Sequence, residues 1–430
     1  MKTVGFYTLG CKVNQYESEA MAELFKKNGY IIKDFEDVCD VYVINTCTVT
    51  SISDRKSRKT IRRAKKKNPD AIVAVTGCYA QTAPDEVQKI EDVNLIVGTN
   101  NRSKIVSLVN ELIDSKATCI SCVNDIMKDK NFERLTVTNY SDRTRAYIKI
   151  QEGCNQFCSY CIIPYARGPV RSRSKDDILN EIKELSEKGF KEIILTGIHI
   201  ASYFDGDGYT LAELICDINK IDKIKRIRLG SLEPMTLNER FIAKIKDCNK
   251  LCRHFHLALQ SGCDETLKRM NRKYTTEGYK KIVDSINTHF EDAAVTTDIM
   301  VGFPEETDEE FEKTAEFVKN ISFAEAHIFE YSVRKGTPAA DMVQVPPETK
   351  HLRSKRIEEI TKKSQAEFLQ KQLGKTTDIL IERCVDNNLY EGKTDNYITV
   401  FVSSEKDITD EFVTVKLDKI KNNTVIGTLS

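Results

Sequence analysis

The sequence predicts an α/β protein with a doubly wound parallel sheet, a central partial (β/α)6 barrel and a small C-terminal all-β barrel. Three observations predict this order. Short apolar strands alternate with helical patterns up to about residue 115, strand-then-helix units repeat in residues 143–340, and short strands separated by turn residues fill the C-terminus. The predicted segments are 1–115, a linker at 116–142, 143–340, a connecting helix at 347–372, and 373–430.

The first segment is predicted to place three cysteines at one edge of its sheet. Its strands are predicted at 4–9, 41–46, 71–76 and 95–97, with helices at 15–27, 53–67, 84–90 and 102–112. Cys11, Cys47 and Cys78 each come just after one of these strands. Because the carboxyl ends of parallel strands share one edge, where ligands bind, we expect the three thiols to converge as a metal site. The alternative is three ordinary buried cysteines.

The linker contains Cys119 and Cys122 in a single CxxC. An unpaired CxxC is a weak signal for zinc or redox chemistry, so we assign it no role.

The central segment is predicted to repeat strand and helix six times. Its helical patterns include 175–188 and 307–319. Right-handed crossovers between such units close or half-close a barrel whose chemistry lies at the carboxyl ends of the strands. The strands are predicted at 146–150, 192–195, 224–229, 254–259, 294–300 and 326–331.

A CxxxCxxC motif follows the first of these strands. Cys154, Cys158 and Cys161 can hold three irons of a 4Fe–4S cube, and residues 153–170 contain neither a fourth Cys nor a His. An iron without a protein ligand is open to a substrate. The motif resembles the signature of the radical S-adenosylmethionine enzymes, in which an aromatic residue such as Tyr160 lies beside the adenine. The alternatives are a zinc site or three buried cysteines. A typical zinc site pairs two CxxC units or adds histidines, and neither is present.

Composition excludes several classes of protein. Hydrophobic residues make up 40% of the 430 residues and charged residues 30%, as in a soluble globular protein. Fourteen cysteines without a signal-like N-terminus predict a reducing, cytoplasmic location and no membrane partner. Because the formal net charge is zero, a nucleic acid would have to be bound by a local basic patch.

The whole chain resembles the methylthiotransferase family, with a C-terminal module similar to the TRAM domain, which binds RNA or, in one branch, a protein substrate. The Lys12-Val13-Asn14-Gln15 string and the Thr48-Val49-Thr50 string resemble the branch that acts on threonylcarbamoyladenosine beside the tRNA anticodon, at position 37. The isopentenyladenosine branch usually has Gln-Met-Asn-Glu at the first string. The strings that carry the family resemblance are 10–19, 45–50, 76–81, 153–173, 259–262, 270–274 and 301–304.

This resemblance implies two 4Fe–4S clusters and S-adenosyl-L-methionine as cofactors. Cys154, Cys158 and Cys161 would ligate the cluster that cleaves S-adenosylmethionine, and Cys11, Cys47 and Cys78 the auxiliary cluster that delivers sulfur. Four positions at strand ends would help to hold S-adenosylmethionine together with Tyr160: Gly197, His199, Glu233 and Gln260. The alternative for each polar side chain among them is a purely structural role as a hydrogen-bonding group.

The implied partners are tRNA, an electron donor of the flavodoxin or ferredoxin type and a sulfur donor. Residues 55–67 contain nine basic residues and no acid, which favours phosphate binding over a merely solvated helix. The predicted RNA-binding residues are Arg55, Arg58, Arg62, Arg63 and Lys66.

The substrate's ionised carboxylate would need a charged partner, and arginine is best shaped for it. Arg167, Arg171 and Arg173 follow the cluster loop and are candidates for that carboxylate or for phosphate. The rival functions are methylthiolation of isopentenyladenosine or of a ribosomal protein, and, in another class, a non-enzymatic iron–sulfur sensor or electron carrier.

Overall fold

The protein is described here by a computed structural model that covers residues 1–115, 117–137 and 144–430. Among these residues, no helix is both long enough and apolar enough to cross a membrane.

The N-terminal domain is a six-stranded parallel sheet, which confirms the doubly wound prediction. Its strands lie in the order second, first, third, fourth, fifth and sixth along the sheet. The sixth strand, Ile120–Cys122, comes from the predicted linker and pairs with the fifth. The strands are Thr3–Thr8, Ile31–Lys33, Val41–Thr46, Ile72–Gly77, Leu95–Val97 and Ile120–Cys122.

Helices cover both faces of this sheet. Met21 and Phe25 of the first helix share one apolar core with Ile105 and Val109 of the last. The second helix packs on the opposite face through Ile61 and Ala64, where its otherwise basic sequence is apolar. The helices are Lys12–Lys27, Ser51–Lys67, Cys78–Thr82, Pro84–Gln88 and Ile105–Ser115, with a 3-10 turn at Arg102–Lys104.

The six predicted strands of the central domain are all present and form a partial barrel. Three parallel strands and a short antiparallel strand, Arg171–Ser172, form one sheet, and three parallel strands form a second. Single bridges, Ile227 to Leu251 and Leu232 to Leu257, join the two sheets. The six strands are Arg145–Glu152, Glu192–Gly197, Arg226–Leu229, His254–His256, Ala294–Val301 and Glu325–Glu330.

Helices on the outside of the barrel bury the apolar faces of these strands. Several helices begin with a side-chain cap, such as Ser174, Asn238, Thr275 and Thr307, each of which accepts a hydrogen bond from a backbone N–H in the first turn. The helices are Ile163–Arg167, Lys175–Glu187, Leu211–Asn219, Glu239–Ile245, Asp264–Arg269, Thr276–His289 and Asp308–Ile321. Short 3-10 turns lie at Ile126–Lys128, Ile200–Ser202, Pro234–Thr236 and Pro338–Ala340.

A long helix, Pro347–Gln372, leads to a closed five-stranded barrel, which confirms the all-β prediction. Arg226 and Arg228 donate hydrogen bonds to four carbonyls of this small barrel, at 2.5–3.1 Å. Arg253 forms a 2.6 Å ion pair with Asp395, and Tyr397 stacks on His254 with ring centroids 4.7 Å apart. The strands are Thr376–Asp386, Leu389–Lys393, Thr399–Ser403, Phe412–Lys421 and Thr424–Leu429.

Candidate active site

The strand order brings the N-terminal cysteines to a topological switch point. Cys11 follows the first strand and Cys47 the third, and these two strands are neighbours although their connections run to opposite sides. An open α/β sheet binds ligands in the crevice outside the carboxyl ends of such strands. Cys78 follows the adjacent fourth strand. The sheet therefore brings the three predicted thiols to one crevice.

Close packing holds the first two of these strand ends together. Gly10 has a φ of +104°, and a Cβ on it would lie 2.8 Å from the Cβ of Cys47, so only glycine fits. Asn14 ties the two strand ends by donating to the carbonyls of Leu9 at 2.7 Å and Thr46 at 3.0 Å. These contacts place the backbones of Cys11 and Cys47 side by side.

An arginine from the barrel domain reaches the third thiol. The Nε of Arg167 donates to the Sγ of Cys78 across 3.2 Å. Burial raises the pKa of Cys78 to about 12, and repulsion from Cys47 and Cys11 adds to it, while Arg167 opposes it. A metal can bind only the thiolate, so binding must displace this proton.

The second thiol set lies on the loop after the first barrel strand, as predicted. Gly153 has a φ of +76°, and a Cβ there would overlap the backbone of Pro169. Burial raises the pKa of Cys154 to about 11 and that of Cys161 to about 12, and repulsion from Cys158 adds to both. The three thiols therefore lie close enough to interact, as the ligands of one cluster must.

Arg272 links this thiol set to the predicted cofactor-binding residues. Its Nη1 donates to the Sγ of Cys158 across 3.3 Å, and its Nη2 pairs with Glu233 at 2.8 Å. Its guanidinium also lies 4.9 Å from the centre of the Tyr274 ring. Glu233 is thus already paired within the chain. Arg272 lies in the family string 270–274, but sequence reasoning gave it no role in the site.

His199 and Gln260 keep buried polar atoms without partners among the described residues. The unpartnered atoms are the Nε2 of His199 and the Oε1 of Gln260. Burial, with Arg272, lowers the pKa of His199 to about 4, so its ring is neutral near pH 7. Unsatisfied buried polar groups are costly, and a bound ligand with amino or hydroxyl groups would satisfy them. Both residues fit a polar cofactor at this place.

Gly197 and Tyr160 occupy constrained places. A Cβ on Gly197 would lie 2.9 Å from the carbonyl oxygen of Gln151, whose side chain accepts a 2.6 Å hydrogen bond from the N–H of His199. The Tyr160 ring packs against a small apolar cluster that includes Met300 and Phe303. Its ring centroid is 6.3 Å from that of Phe303. Apolar packing therefore holds the Tyr160 ring at the position just before Cys161.

A cavity of about 820 Å³ occupies the partial barrel and reaches both domains that flank it. Cys11 and Lys12 of the N-terminal domain line it, as do Gly197 at the end of the second barrel strand and Tyr397 of the small barrel. The cavity therefore joins the crevice with Cys11 to the end of the second barrel strand, where Gly197 is the predicted cofactor residue in the described lining.

Three cavity residues that the sequence reasoning missed form a compact group. His256, Asp298 and His327 bring potential ligand atoms within 4.8 Å of one another. His256 Nε2 lies 3.1 Å from the Asp298 carboxylate, and Asp298 and His327 are register partners on neighbouring strands. Only the strand pairing brings these three residues together, since no motif joins them in sequence.

The arginines that are candidates for the substrate carboxylate or for phosphate are paired with carboxylates of the chain, which argues against both roles. Arg167 is fully buried and pairs with Glu17 at 2.6 Å and Glu152 at 3.2 Å. Arg171 pairs with Asp129 at 3.1 Å, and Arg173 forms an ion pair with Glu181. Because all three guanidinium groups already bind carboxylates of the chain and none lines the cavity, they leave no charge for a ligand.

The basic helix, Ser51–Lys67, divides the predicted RNA-binding residues into two groups. Arg58 donates to the hydroxyl of Tyr79 at 3.1 Å, and Arg63 lies over the rings of Tyr7 and Phe35 and pairs with Glu36 at 3.2 Å. The other group, Arg55, Arg62 and Lys66, is exposed and forms no ion pair among the described residues. Lys59, which was not predicted, is also exposed and completes one stripe with them at helical spacing.

The fold and the CxxxCxxC loop define a radical S-adenosylmethionine enzyme. Residues 148–318 match the Radical SAM superfamily, residues 3–98 match the uncharacterized protein family UPF0004, and residues 370–430 match the TRAM domain. Among solved structures, the radical S-adenosylmethionine methyltransferase TsrM from Kitasatospora setae aligns with a TM-score of 0.58 at 13% identity, over 79% of this chain and 77% of TsrM. At this level of identity, the alignment shows a similar fold and nothing further.

The chain belongs to the methylthiotransferase family. It is 42% identical to the threonylcarbamoyladenosine tRNA methylthiotransferase MtaB of Bacillus subtilis, over 97% of this chain and 94% of that protein. It is 39% identical to MtaB of Aquifex aeolicus, over 94% and 98%. It is also 37% identical to the tRNA-2-methylthio-N(6)-dimethylallyladenosine synthase of Acetivibrio thermocellus, over 98% and 90%.

Proposed function

We propose that this protein is a tRNA methylthiotransferase that converts N6-threonylcarbamoyladenosine at position 37 to its 2-methylthio derivative. The observation that carries the proposal is one cavity that reaches both Cys11 and the ends of the barrel strands. Such a cavity would hold one base beside Cys11 and beside the end of the second barrel strand, which pairs with the strand that precedes the CxxxCxxC loop. The identity to MtaB of Bacillus subtilis, over nearly the whole chain, supports the choice of substrate.

The two thiol sets fit two 4Fe–4S clusters, and a cluster with S-adenosylmethionine supplies a carbon radical on reduction. Cys154, Cys158 and Cys161 would hold that cluster. The chain's own part is to exclude water and to fix orientation. The unpartnered atoms of His199 and Gln260 would bind polar groups of S-adenosylmethionine, and Tyr160 would pack against its adenine.

Cys11, Cys47 and Cys78 would hold the auxiliary cluster, which supplies the sulfur. Arg167 holds a permanent positive charge beside Cys78, which favours the thiolate form that metals bind. Because Arg167 belongs to the barrel domain, the same hydrogen bond fixes the auxiliary site relative to the barrel cavity.

The exposed stripe of the basic helix would bind the tRNA backbone. Its helix starts four residues after Cys47, so phosphates bound along it would lie near the auxiliary thiols. Four exposed cations on one face of the helix form the local basic patch that a chain of zero net charge needs to bind phosphates. An electron donor of the flavodoxin or ferredoxin type, a sulfur donor and a cytoplasmic location complete the proposal.

Purified, anaerobically reconstituted enzyme tests the substrate. It should convert tRNA bearing threonylcarbamoyladenosine to the 2-methylthio form and leave tRNA bearing isopentenyladenosine unchanged, as measured by mass spectrometry of the nucleosides. The opposite preference would assign the chain to the dimethylallyladenosine enzymes, which are also among its relatives. Absence of 5′-deoxyadenosine in both reactions would contradict radical chemistry altogether.

A further inference from the structure

The carboxylate of the proposed substrate needs a charged partner, and the arginines Arg167, Arg171 and Arg173 are already paired within the chain. This inference rests on the proposed function, in which the threonylcarbamoyl group brings a carboxylate into the barrel cavity. Burying a carboxylate without a charged partner or several hydrogen bonds is strongly unfavourable. The cavity should therefore contain a cation that no carboxylate of the chain already uses.

Lys12 meets this requirement. It lines the cavity and directly follows Cys11 at the start of the first helix. Among the described residues, the ammonium group of Lys12 has no ion-pair or hydrogen-bond partner. A half-buried ammonium without a partner, placed in a cavity, is a site for an anion.

Lys393 approaches the same part of the cavity from the small barrel. Its Nζ donates to the Thr399 hydroxyl at 2.5 Å and lies 4.9 Å from the centre of the Tyr397 ring. No carboxylate among the described residues lies within ion-pair distance of it. Lys393 therefore adds a second uncompensated charge.

Among the described residues, neither carboxylate of the cavity lining forms an ion pair with Lys12 or Lys393. The two arginines that lie over the Tyr397 ring have carboxylate partners of their own. Arg228 is balanced by Glu192 at 2.7 Å, and Arg145 is balanced by Glu382 at 2.9 Å. The cavity's own carboxylates, Asp298 and Glu325, lie on the two strands beside His327, and Asp298 binds His256.

Tyr397 reports the resulting positive field. Burial alone would raise the pKa of its hydroxyl, but Arg145, Lys12 and Lys393 outweigh burial and lower the pKa. Lys12, Lys393 and Tyr397 thus share one end of the cavity, where Lys393 lies 4.9 Å from the centre of the Tyr397 ring.

We propose that Lys12 and Lys393 together bind the carboxylate of the threonylcarbamoyl group. The N-terminal domain and the small barrel each contribute one cation, so the carboxylate site is complete only when both are docked on the central barrel. Because Lys12 adjoins Cys11, a carboxylate bound there is anchored next to the auxiliary thiols.

Binding of three anticodon stem-loop RNAs tests the proposal, with fluorescence anisotropy as the readout. The RNAs carry threonylcarbamoyladenosine, its neutral methyl ester, or unmodified adenosine at the target position. A hydrogen bond to a charged group typically changes affinity by about tenfold or more. Wild-type enzyme should therefore bind the carboxylate RNA about tenfold more tightly than the ester RNA.

Lys12→Gln and Lys393→Gln should each bring that ratio close to one, and Lys12→Arg should restore it. Lys33→Gln is the matched control, because Lys33 is an exposed lysine of the same domain that lies outside the cavity lining. It should keep the wild-type ratio. If Lys12→Gln fails to fold, the Lys393→Gln ratio decides.

Three outcomes are distinguishable. Equal weakening of all three RNAs by Lys12→Gln would mean that the lysine binds phosphate, which overturns the proposal. A wild-type ratio retained in both glutamine variants would also overturn it and leave the proposed function intact. A wild-type enzyme that neither prefers nor methylthiolates the carboxylate RNA would instead contradict the proposed function.

Discussion

The two thiol sets differ in how the chain assembles them. Cys154, Cys158 and Cys161 lie on one loop that follows one strand, so local backbone geometry alone brings them together. Cys11, Cys47 and Cys78 follow three different strands of another domain, and only the sheet order brings them together. The first site is a property of a loop, whereas the second is a property of a folded domain.

Each set is also bound by one arginine, and the origins of these arginines differ. Arg272 reaches Cys158 from within the barrel domain. Arg167 reaches Cys78 from the barrel domain into the N-terminal domain, so the auxiliary site spans a domain interface. Arg167 is itself held by Glu17 and Glu152. The auxiliary site therefore depends on interdomain docking, while the loop site does not.

The largest expected effect comes from variants that separate S-adenosylmethionine cleavage from sulfur delivery. Cys158→Ala should abolish formation of 5′-deoxyadenosine, because a ligand of the radical-forming cluster is lost. Cys47→Ala should retain that cleavage but lose methylthiolation, because sulfur delivery is lost. Liquid chromatography of both products measures the split.

Cys384→Ala is the control for this pair, since Cys384 is an exposed thiol of the small barrel, and it should keep both reactions. Methylthiolation by Cys47→Ala would contradict the role of the auxiliary site.

The next largest expected effect is a change in the iron content of the reconstituted enzyme. Two cubes, with three thiolates each, predict about eight irons for each reconstituted chain. Replacing either thiol set with three alanines should halve that number. Unchanged iron after loss of Cys11, Cys47 and Cys78 would show that the sheet edge holds no cluster.

Glu17→Gln tests whether the auxiliary site depends on docking of the N-terminal domain against the barrel. Glu17 is fully buried and forms ion pairs with Arg102, Lys149 and Arg167. Removing one partner from a buried ion network leaves uncompensated charge and costs about 3–5 kcal/mol of the free energy of unfolding. Chemical denaturation measures this change.

Glu111→Gln, at an exposed position on a helix of the same domain, should change the free energy of unfolding by less than about 0.5 kcal/mol. In the Glu17→Gln enzyme, we expect iron loss from the auxiliary site before the loop site. Equal loss from both would show that the two sites depend on docking alike.

The smallest expected effect concerns RNA binding beside the auxiliary site. Each lost phosphate contact lowers the slope of log affinity against log salt by about one, so replacing Arg62 and Lys66 with Ala should lower it by about two. Arg63→Ala is the control, because Arg63 packs on Tyr7 and Phe35 and pairs with Glu36. It should leave the slope nearly unchanged. A larger change for Arg63 than for Arg62 would contradict the assignment of the exposed stripe.

Much of the architecture could be predicted from the sequence, because it follows from local patterns. The strands Val41–Thr46 and Leu95–Val97 and the helix Pro347–Gln372 match their predicted bounds. Strand Ile120–Cys122 was not predicted, because three residues in a polar stretch carry no periodic signal of their own. It forms because its backbone pairs with the strand Leu95–Val97 of the sheet.

The sequence by itself determined the two thiol sets and the family, because spacing along the chain and position after a strand are local properties. The partners of the charged groups were decided only by the tertiary structure. Sequence reasoning assigned a ligand-binding role to Arg167, yet folding places it against Glu17, far away in the chain. Lys12 is left without such a partner in a shared cavity. Whether a charge is paired depends on which carboxylates fold around it, and no local pattern encodes that arrangement.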